Sequence, residues 1–297
     1  MAFLQALSFP SENQDISPSE DVRKLVRQHY GEIASNNTKV VRSSCCSDSS
    51  STDSSCCSSD NIVHLDQVVR MYETPDVTEL PQEVTGISLG CGDPVTLASL
   101  LPGQVVLDLG SGGGIDCFLA ARRVGEQGYV IGVDMTAEMI EKALANKDKV
   151  GAVNVDFRLG EIEHLPVADG YVDVIISNCV INLSPDKDQV FREAFRVLKP
   201  GGKLAVSDMV TDGPLPEAIK SSLSAWAGCI AGALSIEDYV SAIENAGFVD
   251  VQLERQYLDH ELVDDAVDEL GLGDLVEDRD ETFYTTVISA KITAYKP

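Results

Sequence analysis

The sequence predicts an α/β fold built on a doubly wound, mainly parallel sheet, and three observations carry that prediction. Strand-like and helix-like stretches alternate regularly from residue 105 to residue 210. A glycine run, Gly110, Gly112 and Gly114, follows directly on the apolar stretch Val105-Val106-Leu107-Asp108. A second strand, YVIGVD, then ends in Asp134, twenty residues after Gly114. Regular βαβ alternation means a parallel sheet with helices on both faces. Ligands of such sheets sit beyond the C-terminal strand ends, at the switch point. The architecture is therefore Rossmann-like, with a C-terminal antiparallel edge strand, an N-terminal helical and disordered arm, and a helical insertion.

The first element is an amphipathic helix over 19–34, with Val22, Val26, His29 and Ile33 at helical spacing behind Ser19 and two acidic residues. Residues 43–60 hold ten serines and read as a disordered arm, because such a segment buries too little apolar surface to offset its chain entropy. A short helix is expected around Val63–Glu73, then a loop, ISLGCGDPVTLASLLPG, with Cys91 on a tight turn before Asp93-Pro94. After strand 105–108, glycine supplies the positive-φ turn and the close backbone approach that a ligand needs. The helix starting near 116 points its N-terminus into that gap. The spacing is G-x-G-x-G, not the G-x-G-x-x-G of dinucleotide binders. Asp134 stands where nucleotide-binding units place the carboxylate that grips ribose hydroxyls.

The alternation continues with a helix over 137–149, strands over 153–158 and 171–178, and a helix over 188–198. KPGG then turns the chain into strand 203–210. Residues 217–234 read as a helix carrying Trp226 and Cys229, and SIEDYVSAIENAGF as another. VDVQLERQYL and ETFYTTVISAKITAYKP read as the closing strands, the latter at the antiparallel edge. Three segments result: 1–60, helix and Ser/Cys-rich arm; 61–210, a ligand-binding domain; and 211–297, a helical segment with the last strands.

Charge and cysteine usage narrow the function. The 297 residues carry a net charge of −26. That excludes a nucleic-acid binder, which must neutralise phosphates with Lys and Arg. No apolar run approaches the length of a membrane helix, and MAFLQALSF lacks a basic n-region. A soluble, cytoplasmic protein, without membrane or nucleic-acid partners and monomeric, is expected. Cys45, Cys46, Cys56 and Cys57 lie as adjacent pairs in the serine arm; Cys91, Cys117, Cys179 and Cys229 are dispersed. Reduced thiols are expected throughout, with no structural disulfide. Neither C-x-x-C nor a Cys/His zinc pattern is present. The arm is open to two readings, an inert linker or a mobile carrier of thiols.

LDLGSGGGIDC, IGVDMT, ISNCVINLSPDK, RVLKPGG and WAGCIAGAL, in this order and spacing, resemble the arsenite methyltransferases, a branch of the class I S-adenosylmethionine-dependent methyltransferases. The likeness covers roughly residues 21–257. The glycine loop and LKPGG are common to the wider superfamily; SNCVINL, WAGCIAGAL and the GCG around Cys91 each add a cysteine that superfamily does not need. The resemblance implies S-adenosylmethionine as cofactor. Asp108, Gly110, Ser111, Gly112 and Gly114 would be on the cofactor, with the loop from Gly110 to Gly114 facing its methionine end. Asp134 and Met135 would sit at the ribose, Glu161 and Ile162 at the adenine, and Asn178 near the methionine moiety. It implies trivalent arsenic held by Cys91, Cys179 and Cys229, with Cys45 or Cys46 as redox partner and Cys56-Cys57 as a further candidate. Cys117 is read as a buried small hydrophobe.

The chemistry agrees. Trivalent arsenic is soft and selects thiolates. Its lone pair is the nucleophile, so no general base is required and positioning supplies the acceleration. Arsenic oxidised by each transfer is returned to the trivalent state by a cysteine pair closing to a disulfide, which a thioredoxin- or glutathione-type thiol must reopen. The partners expected are arsenite or its thiol adducts and that reductant, in a detoxifying reaction. The alternative is a C- or O-methyltransferase of a small molecule such as a quinone precursor, in which the cysteines would be core residues. A third reading, a thiol protein sequestering soft metals through its arm, leaves the glycine loop without a role.

Overall fold

The computed structural model describes residues 20–36, 72, 75–85, 91–213, 232–257, 260, 264, 267 and 281–297. The serine arm with Cys45, Cys46, Cys56 and Cys57, most of the helix expected at 63–73, and the segment with Trp226 and Cys229 lie outside the described residues. Seven strands form one sheet: β1 Val105–Leu109, β2 Tyr129–Asp134, β3 Val155–Leu159, β4 Val172–Asn178, β5 Leu198–Thr211, β6 Val249–Gln256 and β7 Val287–Tyr295. Their order is β3-β2-β1-β4-β5-β7-β6. β1 to β5 pair in parallel; β7 runs antiparallel to both β5 and β6.

The helices are α1 Glu20–Asn36, α2 Gln82–Thr85, α3 Pro94–Ala98, α4 Ile115–Val124, α5 Ala137–Val150, α6 Lys187–Val197, α7 Ile236–Asn245 and α8 Glu281–Thr286. Alternation along β1 builds the two cores. Leu107 and Leu109 join Ile131, Ile175, Phe191 of α6 and Tyr239 of α7; Val106 joins Val130, Val174 and Phe118 and Leu119 of α4.

Four expectations are corrected in detail. The last strand is antiparallel, but it lies one place in from the edge, with β6 outermost. Its first residues, Glu281–Thr286, form α8, and strand begins where alternation becomes regular at Val287. KPGG belongs to β5, with Gly201 at φ +77° and a register shift against β4 between Val172 and Val174. The loop around Cys91 contains α3, whose start is capped by Asp93: the Thr96 amide donates to Asp93 Oδ1 at 2.9 Å. The 210/211 boundary falls at the end of β5, and β6 and β7 complete the same sheet.

No described helix is long and apolar enough to cross a membrane. Forty-eight acidic residues against 22 basic ones leave a self-repelling surface. The exposed pairs, such as Arg255–Asp212 at 3.0 Å, offset little of it. Added salt shortens the Debye length from about 10 Å at 0.1 M to about 3 Å at 1 M. The melting temperature is therefore expected to rise by several degrees from dilute to molar potassium chloride. A flat or falling curve in a thermal-shift titration would show that the acidic surface carries no such cost.

Candidate active site

β1 lies between β2 and β4, so the chain switches direction across the sheet at its C-terminal end. A cleft partly open to solvent sits there. Gly110 and Gly112 form its floor at φ +73° and +48°. A Cβ on Gly110 would collide with the side chain of Val180, whereas one on Gly112 would meet nothing within 4 Å, because it would point into the cleft. Gly110 thus fixes the turn and Gly112 leaves room for a ligand.

The loop is tied to the end of β2. Asp134 Oδ2 accepts from the Gly112 amide at 2.9 Å and Oδ1 from the Thr136 amide at 2.8 Å. Burial raises the Asp134 carboxyl above its ordinary range, and these two amides oppose the rise. Met135 and Ile162 continue the wall. Among the described residues, two buried polar atoms in the lining have no protein partner, Ser111 Oγ and Asp116 Oδ1. Asp116, in the first turn of α4, is pushed up to about 7, chiefly by burial. A cleft with an open glycine floor, a carboxylate at the second strand end and unsatisfied polar atoms in its wall fits a cationic nucleoside-type ligand.

Other expected residues stand differently. Asp108 is buried beneath the loop, outside the cleft lining, and accepts from the Cys117 thiol at 3.2 Å. Cys117 is thus more than a small hydrophobe; burial, with Asp108 beside it, pushes its thiol well up. Gly114 is the left-handed N-cap of α4. Glu161 pairs with Arg27 at 3.0 Å, and Glu163 behind it is buried, accepting from Arg23 at 3.2 Å and Ser184 Oγ at 2.6 Å. Through these pairs α1 closes one side of the cleft with Arg23, Val26 and Tyr30.

The thiols stand where β4 ends, packed against α1. Asn178 ends β4, and its side chain holds the Cys91 loop from both sides. Its Oδ1 accepts from the Cys91 amide at 2.9 Å, and its Nδ2 donates to the Gly92 carbonyl at 2.9 Å and lies 3.3 Å from Asp116 Oδ2. The Ser289 hydroxyl of β7 donates to the Cys91 carbonyl at 3.0 Å. Cys179 comes next, buried, at φ +57°, its amide bonded to the Ser207 carbonyl at 2.8 Å. A non-glycine residue held in the left-handed region is a cost that functional sites carry. Cys91 and Cys179 are joined as a disulfide with their Cα atoms 5.8 Å apart, which corrects the expectation of reduced thiols throughout. The compartment rule concerns scaffold cross-links. Here Asn178, by holding the Cys91 loop beside the end of β4, brings the two sulfurs into contact. Val26, Leu183, Met209 and Met135 surround the pair with apolar surface.

Sequence reasoning did not find Arg23, Tyr30, Tyr72 and Asp116 on the cleft wall, or Asp208 beside the thiols. Asp116 comes two residues after the glycine run, so the position itself was the available signal.

A methyltransferase-domain family model matches residues 100–247. The chain is 42% identical over 278 residues to the arsenite methyltransferase of Halobacterium salinarum, covering 94% of this chain and 67% of that protein. It is 46% identical to the arsenite methyltransferase of Aquipseudomonas alcaligenes, over 60% of this chain and 53% of that one. Among solved structures it resembles CrArsM, an arsenic(III) S-adenosylmethionine methyltransferase from Chlamydomonas reinhardtii. There the TM-score is 0.57 and the identity 38%, over 73% of this chain and 70% of that one. The chain thus spans two thirds of the first relative and about half of the second.

Proposed function

The chain belongs to the arsenite methyltransferase family, and on that premise we propose that it transfers a methyl group from S-adenosylmethionine to trivalent arsenic held by Cys91, Cys179 and Cys229. One observation carries the residue assignment: Cys179 lines the same cleft as the glycine floor and Asp134, with Cys91 bonded to it. The cofactor supplies an electrophilic methyl on a sulfonium, and the glycine floor, Asp134 and Met135 are the residues that would hold it. Asp116 and Asn178, between that floor and the thiols, would orient its methionine end toward the sulfurs.

The reaction needs no base at the arsenic, because the lone pair attacks directly, and the rigid Asn178 grip supplies alignment. The thiols must first be free. Two electrons and two protons open the Cys91–Cys179 disulfide to two thiols, which fits a thioredoxin- or glutathione-type reductant. Cys45, Cys46, Cys56 and Cys57 are candidates to relay those electrons. Monomeric action in the cytoplasm accords with this reading.

The test compares protein reduced with a dithiol and then freed of it against protein left oxidised. Both receive arsenite and methyl-labelled S-adenosylmethionine. Methylated arsenic is expected from the reduced sample alone in a single turnover, while cofactor affinity stays equal in both. Equal yields would remove the thiol pair from the site, and label entering only a carbon or oxygen acceptor would point to the quinone-type alternative.

A further inference from the structure

The parallel register of β4 and β5 sets Ser207 beside Asn178, so the next residues, Asp208 within β5 and Cys179 just past β4, stand together. Asp208 is fully buried, and one of its carboxylate oxygens lies within 4.8 Å of both the Cys91 and Cys179 sulfurs. Its aim is fixed by three donors. Asn182 Nδ2 and the Met209 amide reach Oδ1, each at 2.9 Å, and the Tyr239 hydroxyl reaches Oδ2 at 3.1 Å. The Asn182 backbone amide bonds the carboxylate as well, and the oxygen within 4.8 Å of both sulfurs is the one that a ligand held there would meet.

Arsenous acid loads onto two thiols with loss of two waters: As(OH)3 + 2 RSH gives (RS)2As–OH + 2 H2O. One hydroxyl stays on arsenic until a third thiol displaces it as water. In an apolar surround of Val26, Leu183 and Met209 that hydroxyl needs an acceptor. A hard carboxylate oxygen is a poor direct ligand for a soft centre, but a strong acceptor for its O–H.

We propose that Asp208 is a specificity-determining residue that reads this hydroxyl. Its carboxylate accepts the As–OH hydrogen bond of the two-thiolate loading complex and so favours hydroxylated, unalkylated arsenic. Tyr239 acts through it, as a positioning residue. The proposal rests on the reading of Cys91 and Cys179 as arsenic ligands.

The test holds the site at the two-thiolate stage with Cys229→Ser and titrates reduced full-length protein by calorimetry with two probes. Arsenite keeps one hydroxyl on two thiols. Phenylarsonous acid keeps none, since the two thiols displace both of its hydroxyls. Asp208→Ala is expected to weaken arsenite about tenfold or more and to leave the phenyl probe within about twofold. Asp208→Asn and Tyr239→Phe, both close to isosteric, are expected to weaken arsenite alone by smaller factors. Equal loss of both probes would make Asp208 a structural residue and overturn the proposal, as would no change in either. Unaltered binding of both probes by Cys91→Ser and Cys179→Ser would instead overturn the thiol reading beneath it.

Discussion

Replacing Cys179 by serine is expected to abolish arsenic methylation while S-adenosylmethionine still binds. The sulfur is the part of this side chain that matters for a soft metalloid, and a hydroxyl is both harder and far less acidic. The change deletes no volume of consequence. Cys179 already holds φ +57°, a region serine reaches no more easily, so the local backbone cost is unchanged. Its amide bond to Ser207 and the Asn178 grip on the Cys91 loop are made without the sulfur. Turnover should fall by more than the roughly 10–100-fold that loss of an outer partner costs a metal site, since here a direct ligand is lost. Cofactor affinity should move by no more than about twofold, a bound from general mutational behaviour away from a contact. Product is counted by chromatography of methylated arsenicals, affinity by calorimetry. Retained turnover would return Cys179 to the core; lost cofactor binding would mean the fold, not the ligand, had been damaged.

That contrast shows what a sequence carries and what it does not. Gly110, Gly112 and Asp134 are local signals: a turn, a gap and a carboxylate at a known distance along one βαβ unit. Cys179 is named through the SNCVINL motif, one residue past the strand over 171–178. The disulfide was not legible, since Cys91 and Cys179 are 88 residues apart and meet through one amide, that of Asn178. Asp208 was hidden for a related reason. Inside SDMV it reads as an ordinary strand residue, and only the β4–β5 register sets it against the thiols. Arg27 drew no attention as one basic residue on an amphipathic helix, yet it takes Glu161, the residue expected at the adenine. Alternation misplaced the start of the last strand, because ETFYTT satisfies the strand pattern as well as it does a short helix.

The second large effect is expected at Asp134. Its two oxygens receive the Gly112 and Thr136 amides at 2.9 and 2.8 Å, so the carboxylate ties the glycine floor to the end of β2 before any ligand arrives. The Thr136 side chain bonds the carboxylate as well, which leaves a lone pair for a ribose hydroxyl. Asp134→Ala removes both functions. Hydrogen bonds to a charged group are worth about 1.5–3 kcal/mol each, and losing two predicts at least about a hundredfold weaker cofactor binding. Asp134→Asn keeps the shape and one acceptor oxygen, and should cost about tenfold. The bonds that hold the Cys91 loop are made without Asp134, so arsenite binding by the reduced protein should be unchanged in both variants. Calorimetric titration with S-adenosylhomocysteine and, separately, with arsenite reads the two sites. An unaltered cofactor affinity in Asp134→Ala would mean that the carboxylate serves neither the loop nor the ribose. A parallel loss of arsenite binding would mean that the glycine floor and the thiols form one cooperative unit, with Asn178 and Asp116 as the link between them.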